Sequence, residues 1–183
     1  LNTAMAAFSS GQHFDRAVSL FHEIQESGSS PSTVSYNIAI TACESSSCWE
    51  GALDLLSGMQ LRAVPPNVTS FNAAISACEP GHNWPLAVQL LEEMRCRRAP
   101  PDVISYNAAL SACEKAQQWA AALCLLDRMR LRGPPPDVVS YKAALLAVCA
   151  GAPAAVAAAV LRAASRSGEV RQWDPSARPG TKK

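Results

Sequence analysis

The sequence predicts an all-α solenoid of tandem 35-residue helix-turn-helix repeats. Three near-copies of one segment support this fold: VSYNIAITACE begins at Val34, TSFNAAISACE at Thr69 and ISYNAALSACE at Ile104, with a weaker fourth copy from Val139. The aromatic residue of each copy therefore recurs every 35 residues. Self-similarity at such a period is typical of stacked helical hairpins, because one hairpin is too small to bury its own apolar face.

The first half of each repeat predicts a helix that is apolar on nearly every side, as expected for a helix packed between two neighbours. In the repeat from Thr33 this half ends at a polar break over 44–48. The second half predicts an amphipathic helix, because its apolar residues fall at i, i+3, i+4 and i+7 from Ala52. Three second halves begin with a tryptophan, and the truncated first unit has Phe14 at the equivalent place. We expect these four aromatic residues in the interior between hairpins: Phe14, Trp49, Trp84 and Trp119.

A proline-bearing loop follows each second helix, since proline stops a helix and sets the return path of the chain. These loops divide the sequence into units of one kind, of which the first lacks its beginning. The predicted organisation is a truncated first repeat over 1–32, full repeats over 33–67, 68–102 and 103–137, a degenerate repeat over 138–172, and a disordered basic tail over 173–183. Residues 1–172 are expected to form one solenoid.

The charge and the cysteines restrict the classes of partner and of metal site. Lysine and arginine nearly balance aspartate and glutamate, with a formal charge of +1, so no global basic field marks a nucleic-acid binder. Cys43, Cys78 and Cys113 recur at the repeat period and are interpreted as small buried residues, not as a disulfide framework. The three histidines do not pair with cysteines at zinc spacing, so no metal site is predicted.

Membrane insertion and catalysis are not predicted either. The uncharged stretch over 143–161 has the length of a membrane span, but Gly151 and Pro153 interrupt it where the repeat places its turn. The sequence contains no clustered carboxylates, no Cys-His set and no phosphate-binding loop. We therefore predict a non-enzymatic segment without a cofactor or a small-molecule substrate.

Two recurring polar positions are candidates for recognition. An asparagine recurs at one position of the first helix: Asn2, Asn37, Asn72 and Asn107. Since asparagine is a poor helix former, it is there either for a structural hydrogen bond or to offer its amide to a base edge. The residue before each following first helix is Ser32, Asn67, Asp102 or Asp137. These are preferred N-caps, yet variation at a fixed site is also what a base-selective position shows.

The chain resembles the pentatricopeptide repeat family over roughly residues 1 to 172. The resemblance rests on the 35-residue period, the V-x-Y-N opening, the small-residue first helix, the A-x-x-L-L-x-x-M second helix and the closing P-D. It implies a right-handed superhelix whose first helices line a groove for single-stranded RNA, read at one base per repeat. Membership of this family also implies a mitochondrial or plastid location.

In this family, the polar residue after the aromatic and the last residue of the unit together select a base. The resemblance therefore implies C for Asn2 with Ser32, C or U for Asn37 with Asn67, and U for the two Asn–Asp pairs, Asn72 with Asp102 and Asn107 with Asp137. The implied target is a pyrimidine-rich 5′-C-(C/U)-U-U-3′, with an unspecified fifth base at Lys142. The residues implied to sandwich the bases are Val34, Thr69, Ile104 and Val139.

One departure from the family leaves a second function open. Where family members often carry a lysine near the RNA backbone, this chain has Glu44, Glu79 and Glu114. The leading hypothesis is the RNA-binding module of an organellar factor for RNA processing, editing or stability. The alternative is a helical scaffold for protein partners that does not bind RNA. A third hypothesis is the recognition arm of a nuclease or an editing factor.

Overall fold

The computed structural model describes residues 14–26, 30–153, 155, 156, 158 and 162. Over these residues the chain contains eight named helices and no strand. The helices are α1 (Phe14–Glu26), α2 (Thr33–Ser45), α3 (Trp49–Leu61), α4 (Val68–Ala77), α5 (Trp84–Cys96), α6 (Val103–Lys115), α7 (Trp119–Arg132) and α8 (Val138–Gly151). The all-α solenoid of tandem helix pairs is confirmed. The predicted tail over 173–183 lies outside the described residues.

The first helices α2, α4, α6 and α8 begin at equivalent capping boxes. In α6 the Asp102 carboxylate accepts a hydrogen bond from the backbone N–H of Ser105 at 2.9 Å, while the Ser105 hydroxyl accepts one from the backbone N–H of Asp102 at 3.1 Å. The same reciprocal box opens the other three helices at Ser32, Asn67 and Asp137. The interpretation of these residues as N-caps is therefore confirmed.

A repeated turn joins the two helices of each pair. One residue of each turn adopts a left-handed conformation: Ser47 (φ 59), His82 (φ 53) and Gln117 (φ 56). The next residue then donates its N–H back to a carbonyl near the helix end, as Cys48 does to Cys43 at 3.0 Å. This bond satisfies a carbonyl that the helix itself leaves free and positions the second helix antiparallel to the first.

The helices form two layers. The first helices pack against one another in chain order, α2 on α4, α4 on α6 and α6 on α8. Each of α3, α5 and α7 packs against the first helix of its own pair and that of the next pair. Within the described part of the chain, no second helix packs against another second helix. The layer of first helices therefore holds the array together laterally.

The core runs continuously between the layers. The aromatic residues of the four copies are buried, as are the predicted small residues Cys43, Cys78 and Cys113. The expectation that the tryptophans lie in the interior is only partly confirmed. Trp49, Trp84 and Trp119 are half-buried and pack on the core from outside. Each is the first residue of its second helix, so its ring covers the end of the core.

The described helices also bear on the membrane and metal predictions. None of them is both long enough and apolar enough to cross a membrane. The helix containing the first part of the uncharged stretch ends at Gly151, as the glycine and the following Pro153 predict. No group of three or more His, Cys, Asp or Glu residues that could hold a metal ion occurs among the described residues.

Candidate nucleic-acid interface

The two recurring polar positions come together at three successive junctions between the described repeats. The Asn72 side-chain amide donates to both carboxylate oxygens of Asp102, at 3.2 and 3.4 Å. Asn107 donates in the same way to Asp137, at 3.1 and 3.3 Å. At the preceding junction the partner is an amide, and Asn37 Nδ2 donates to Asn67 Oδ1 at 3.3 Å. Three of the four pairs that the resemblance joined are therefore direct hydrogen-bond partners.

A buried serine orients each asparagine. The Ser105 hydroxyl donates to Asn72 Oδ1 at 2.5 Å, and Ser140 donates to Asn107 Oδ1 at 2.6 Å. Ser70 does the same for Asn37 at 2.6 Å. These serines are fully buried, and each also belongs to the capping box of its helix. One hydroxyl thus links the helix cap to the asparagine of the preceding repeat.

Sequence reasoning did not select these serines as functional residues. The signal that identifies them is their recurrence one residue before every aromatic, three residues after every cap. A capping serine alone needs no partner on the preceding repeat, so the bond across the junction follows only from the packing of one first helix on the next. Their role is to position the asparagine.

The network leaves each asparagine able to bind a further group. An amide carries two N–H donors and two acceptor lone pairs. In Asn72 one N–H is shared between the two carboxylate oxygens of Asp102, and one lone pair of Oδ1 accepts the bond from Ser105. One N–H and one lone pair therefore remain, and these can bond with an acceptor and a donor on the edge of a base.

The carboxylates of the pairs are held in their charged form. Partial burial by itself would raise the pKa of Asp102, but hydrogen bonds from the backbone and hydroxyl of Ser105 and from Asn72 outweigh it and lower the pKa. Asp137 has a lowered pKa for the equivalent reason, with Ser140 and Asn107 as donors. At neutral pH both carboxylates are acceptors only.

Exposed side chains stand next to the pairs, at the positions implied to sandwich bases. Val34, Ile104 and Val139 are 56%, 63% and 55% exposed, and Thr69 is also exposed. Each lies three residues before the asparagine position of its own helix. Aliphatic groups left this exposed beside a polar network offer apolar surface for a flat ring. The structure thus places all four predicted residues at the surface.

The first and last members of the series differ from the middle ones. Asn2 lies outside the described residues, so the structure places only its predicted partner Ser32, at the N-cap of α2. In α8 the asparagine position holds Lys142, which is exposed. The complete pairs within the described range are therefore those at Asn37, Asn72 and Asn107.

The opposite ends of the first helices carry a row of glutamates, here named the acidic row: Glu44, Glu79 and Glu114. All three are half-buried. Burial and the nearby charge of Glu79 raise the pKa of Glu44. Burial also raises the pKa of Glu114, with Glu79 adding to the effect and Lys115 and Lys142 opposing it. The acidic row therefore concentrates negative charge at one edge of the first-helix layer.

Comparison with known families agrees with this architecture. A model of the PPR repeat family matches residues 31–79 and 101–150, and a model of the single PPR repeat matches residues 1–29 and 69–98. The chain belongs to the pentatricopeptide repeat (PPR) family. Among curated proteins, none is similar enough in sequence to this PPR chain to count as a relative.

Solved structures of PPR proteins share the fold of this chain. The maize protein PPR10 is 29% identical with a TM-score of 0.78, over 92% of this chain and 24% of the maize chain. PPR10 in complex with an 18-nt psaJ RNA element gives a TM-score of 0.69 at 20% identity, over 91% of this chain and 30% of that one. The PPR domain of Arabidopsis thaliana protein-only RNase P 1, in complex with tRNA, gives a TM-score of 0.80 at 19% identity, over 95% of this chain and 91% of that one. The PPR chain thus spans about a quarter of the maize protein.

Proposed function

We propose that this PPR chain binds single-stranded RNA and selects one base per repeat through the side-chain pairs at its repeat junctions. The observation that carries the proposal is the oriented amide at three successive junctions, of which Asn72 with Asp102 and Ser105 is typical. Each amide keeps one donor and one acceptor and stands beside an exposed side chain. The related PPR10, solved with an RNA element, supports RNA as the ligand.

The proposed target is pyrimidine-rich. We propose that the repeats over 33–67, 68–102 and 103–137 read C or U, U and U, and that Asn2 with Ser32 reads a preceding C. Hydrogen bonds to a Watson–Crick edge then provide selectivity, while Val34, Thr69, Ile104 and Val139 provide stacking contacts. Base stacking contributes about 1 to 3 kcal/mol per base. Because association itself costs about 4 to 15 kcal/mol, four bases give weak binding.

The test is fluorescence anisotropy of the purified chain with labelled RNAs at low salt. A CCUU-containing oligomer is compared with AAAA, GGGG and the matched DNA. We expect preference for the pyrimidine RNA, and we expect Asn72→Thr to move the preference at its base toward G. A matched control is Gln89→Thr, an exposed position of α5 outside the junctions, which should leave the base preference unchanged. Equal or absent binding to all oligomers contradicts the proposal.

A protein-binding scaffold is the second candidate, and the acidic row is the observation that favours it. Glu44, Glu79 and Glu114 occupy one edge of the first-helix layer, where a polyanion is repelled and a basic peptide is attracted. This candidate leads if no RNA binds. A role in an organellar RNA-processing, editing or stability factor, or as the recognition arm of a nuclease, stays a prediction of the family resemblance.

A further inference from the structure

Three arginines stand at the edge opposite the acidic row, here named the arginine edge: Arg95, Arg98 and Arg132. They line a cavity of about 610 Å³ between the ends of α5 and α7, over the beginning of α6. Its walls include Tyr106 and the base-selecting residue Asp102. The arginine edge therefore borders the same junction that carries the Asn72–Asp102 pair.

These arginines have no ion-pair partner among the described residues, unlike their neighbours. The neighbouring arginines pair as Arg97 with Glu93 at 2.7 Å, Arg128 with Glu92, and Arg130 with Asp127 at 3.8 Å. All three members of the arginine edge are exposed. The one carboxylate that lines the cavity, Asp102, is engaged by Asn72 and Ser105. The three guanidinium groups outnumber this one carboxylate, so the cavity carries an excess of positive charge.

The two charged rows lie at opposite ends of the first helices. In α6, Asp102 caps the N-terminus and Glu114 lies in the last turn. At 1.5 Å per residue, these ends are about 18 Å apart. Positive charge therefore collects at the arginine edge and negative charge at the acidic row, although the whole chain is nearly neutral.

We propose that the arginine edge holds the sugar–phosphate backbone of a bound single-stranded RNA at the junction between the repeats over 68–102 and 103–137, and that this backbone does not lie at the ends of the first helices where the acidic row is. The proposal rests on the proposed RNA-binding function and adds to it the side from which the strand is held. Guanidinium groups bind phosphate oxygens in a bidentate manner, and the unpaired arginines are free to do so. The bases then point from this edge toward the junction pairs.

The test is the salt dependence of RNA affinity. The variant Arg95→Gln/Arg98→Gln/Arg132→Gln is compared with the wild-type chain by anisotropy with the CCUU oligomer. Since each phosphate contact contributes about 0.7 to the slope of log affinity against log salt for single strands, losing three contacts lowers the slope by about 2. Affinity at low salt should fall at least about tenfold, while the ratio of pyrimidine to purine binding stays unchanged.

The matched control removes the same charge from the paired arginines, as Arg97→Gln/Arg128→Gln/Arg130→Gln, and should change the slope much less. Circular dichroism checks that both variants fold. If the triple variant fails to fold, Arg132→Gln alone replaces it, with an expected slope change of about 0.7. An unchanged slope, or equal changes in both triple variants, overturns the proposal that the arginine edge holds the RNA backbone. Either result leaves the proposed RNA binding intact. Absence of RNA binding by the wild-type chain overturns both.

Discussion

The hydroxyl of Tyr36 is buried without a hydrogen-bond partner among the described residues. Its ring packs edge-on against Phe21, with ring centroids 4.8 Å apart. The next repeat carries Phe71 at the same position, fully buried and with no hydroxyl. A buried polar group without a partner costs about 1 to 3 kcal/mol. The hydroxyl of Tyr36 is therefore expected to reduce stability.

We expect Tyr36→Phe to raise the free energy of unfolding by about 1 kcal/mol, because it removes an unsatisfied group and keeps the ring. Urea denaturation followed by circular dichroism measures the change. Tyr106→Phe is the matched control, since the Tyr106 hydroxyl is not among the buried unpaired groups. It should give no comparable gain. A loss of stability in Tyr36→Phe would show that the hydroxyl has a partner.

At the scale of the helix, the acidic row makes the ends of α2, α4 and α6 sensitive to pH. Burial and mutual repulsion raise the pKa of Glu44 and Glu114, with Glu79 as the shared neighbour. The folded chain therefore binds more protons than the unfolded chain above the ordinary glutamate pKa of about 4.3. Stability consequently falls as the pH rises through the raised native pKa values.

We expect Glu79→Gln to weaken that pH dependence, because it removes the charge that both neighbours share. At pH 7 the variant should be more stable by roughly 0.3 to 1 kcal/mol, the scale of partly exposed ion interactions. Chemical denaturation at a series of pH values measures both effects. Glu50→Gln, an exposed glutamate in the first turn of α3, is the control. An unchanged pH profile in Glu79→Gln would exclude coupling within the row.

The helices were predictable from the sequence because the local signals repeat. Prolines after each second helix, a tryptophan at the start of α3, α5 and α7, and a capping residue before each first helix recur in successive units. The predicted break over 44–48 begins within α2, which continues to Ser45. Helix ends tolerate such shifts of one or two residues because the last turn makes few bonds.

The candidate site was predictable only in part. The spacing from Asn72 to Asp102 within one unit recurs in the next unit, and the resemblance joined the two residues as a pair. The buried Ser105 and the unpaired Arg95 and Arg98 were missed, because their roles depend on contacts between units. Nothing in the order of residues shows which arginine lacks a carboxylate at the junction. Tertiary packing decides that.

At the scale of the whole molecule, stability should behave as a sum of neighbouring contacts. Each helix packs only on helices close to it in the chain, from α1 on α2 to α7 on α8. We expect Leu110→Ala, at a fully buried position of α6, to cost about 2 to 5 kcal/mol. Hydrogen exchange should accelerate in α5 to α8 and change little in α2 and α3.

The control for this prediction is Leu131→Ala, because Leu131 is 81% exposed on α7. Its exchange pattern should match that of the unchanged chain. If Leu110→Ala accelerates exchange equally in all helices, the array unfolds as one cooperative unit and the nearest-neighbour description fails. Loss of protection limited to the helices around α6 supports that description.

The lack of packing between second helices has a mechanical consequence. Among the described residues, neighbouring second helices are joined by polar contacts, namely Gln60 with Glu93 at 3.2 Å and the ion pair of Arg128 with Glu92. Such ties yield easily, whereas the packed first helices resist stretching. We therefore expect the molecule to bend while the distance between successive repeat junctions stays constant. A strand held along it then keeps one base per repeat while the curvature of the molecule changes.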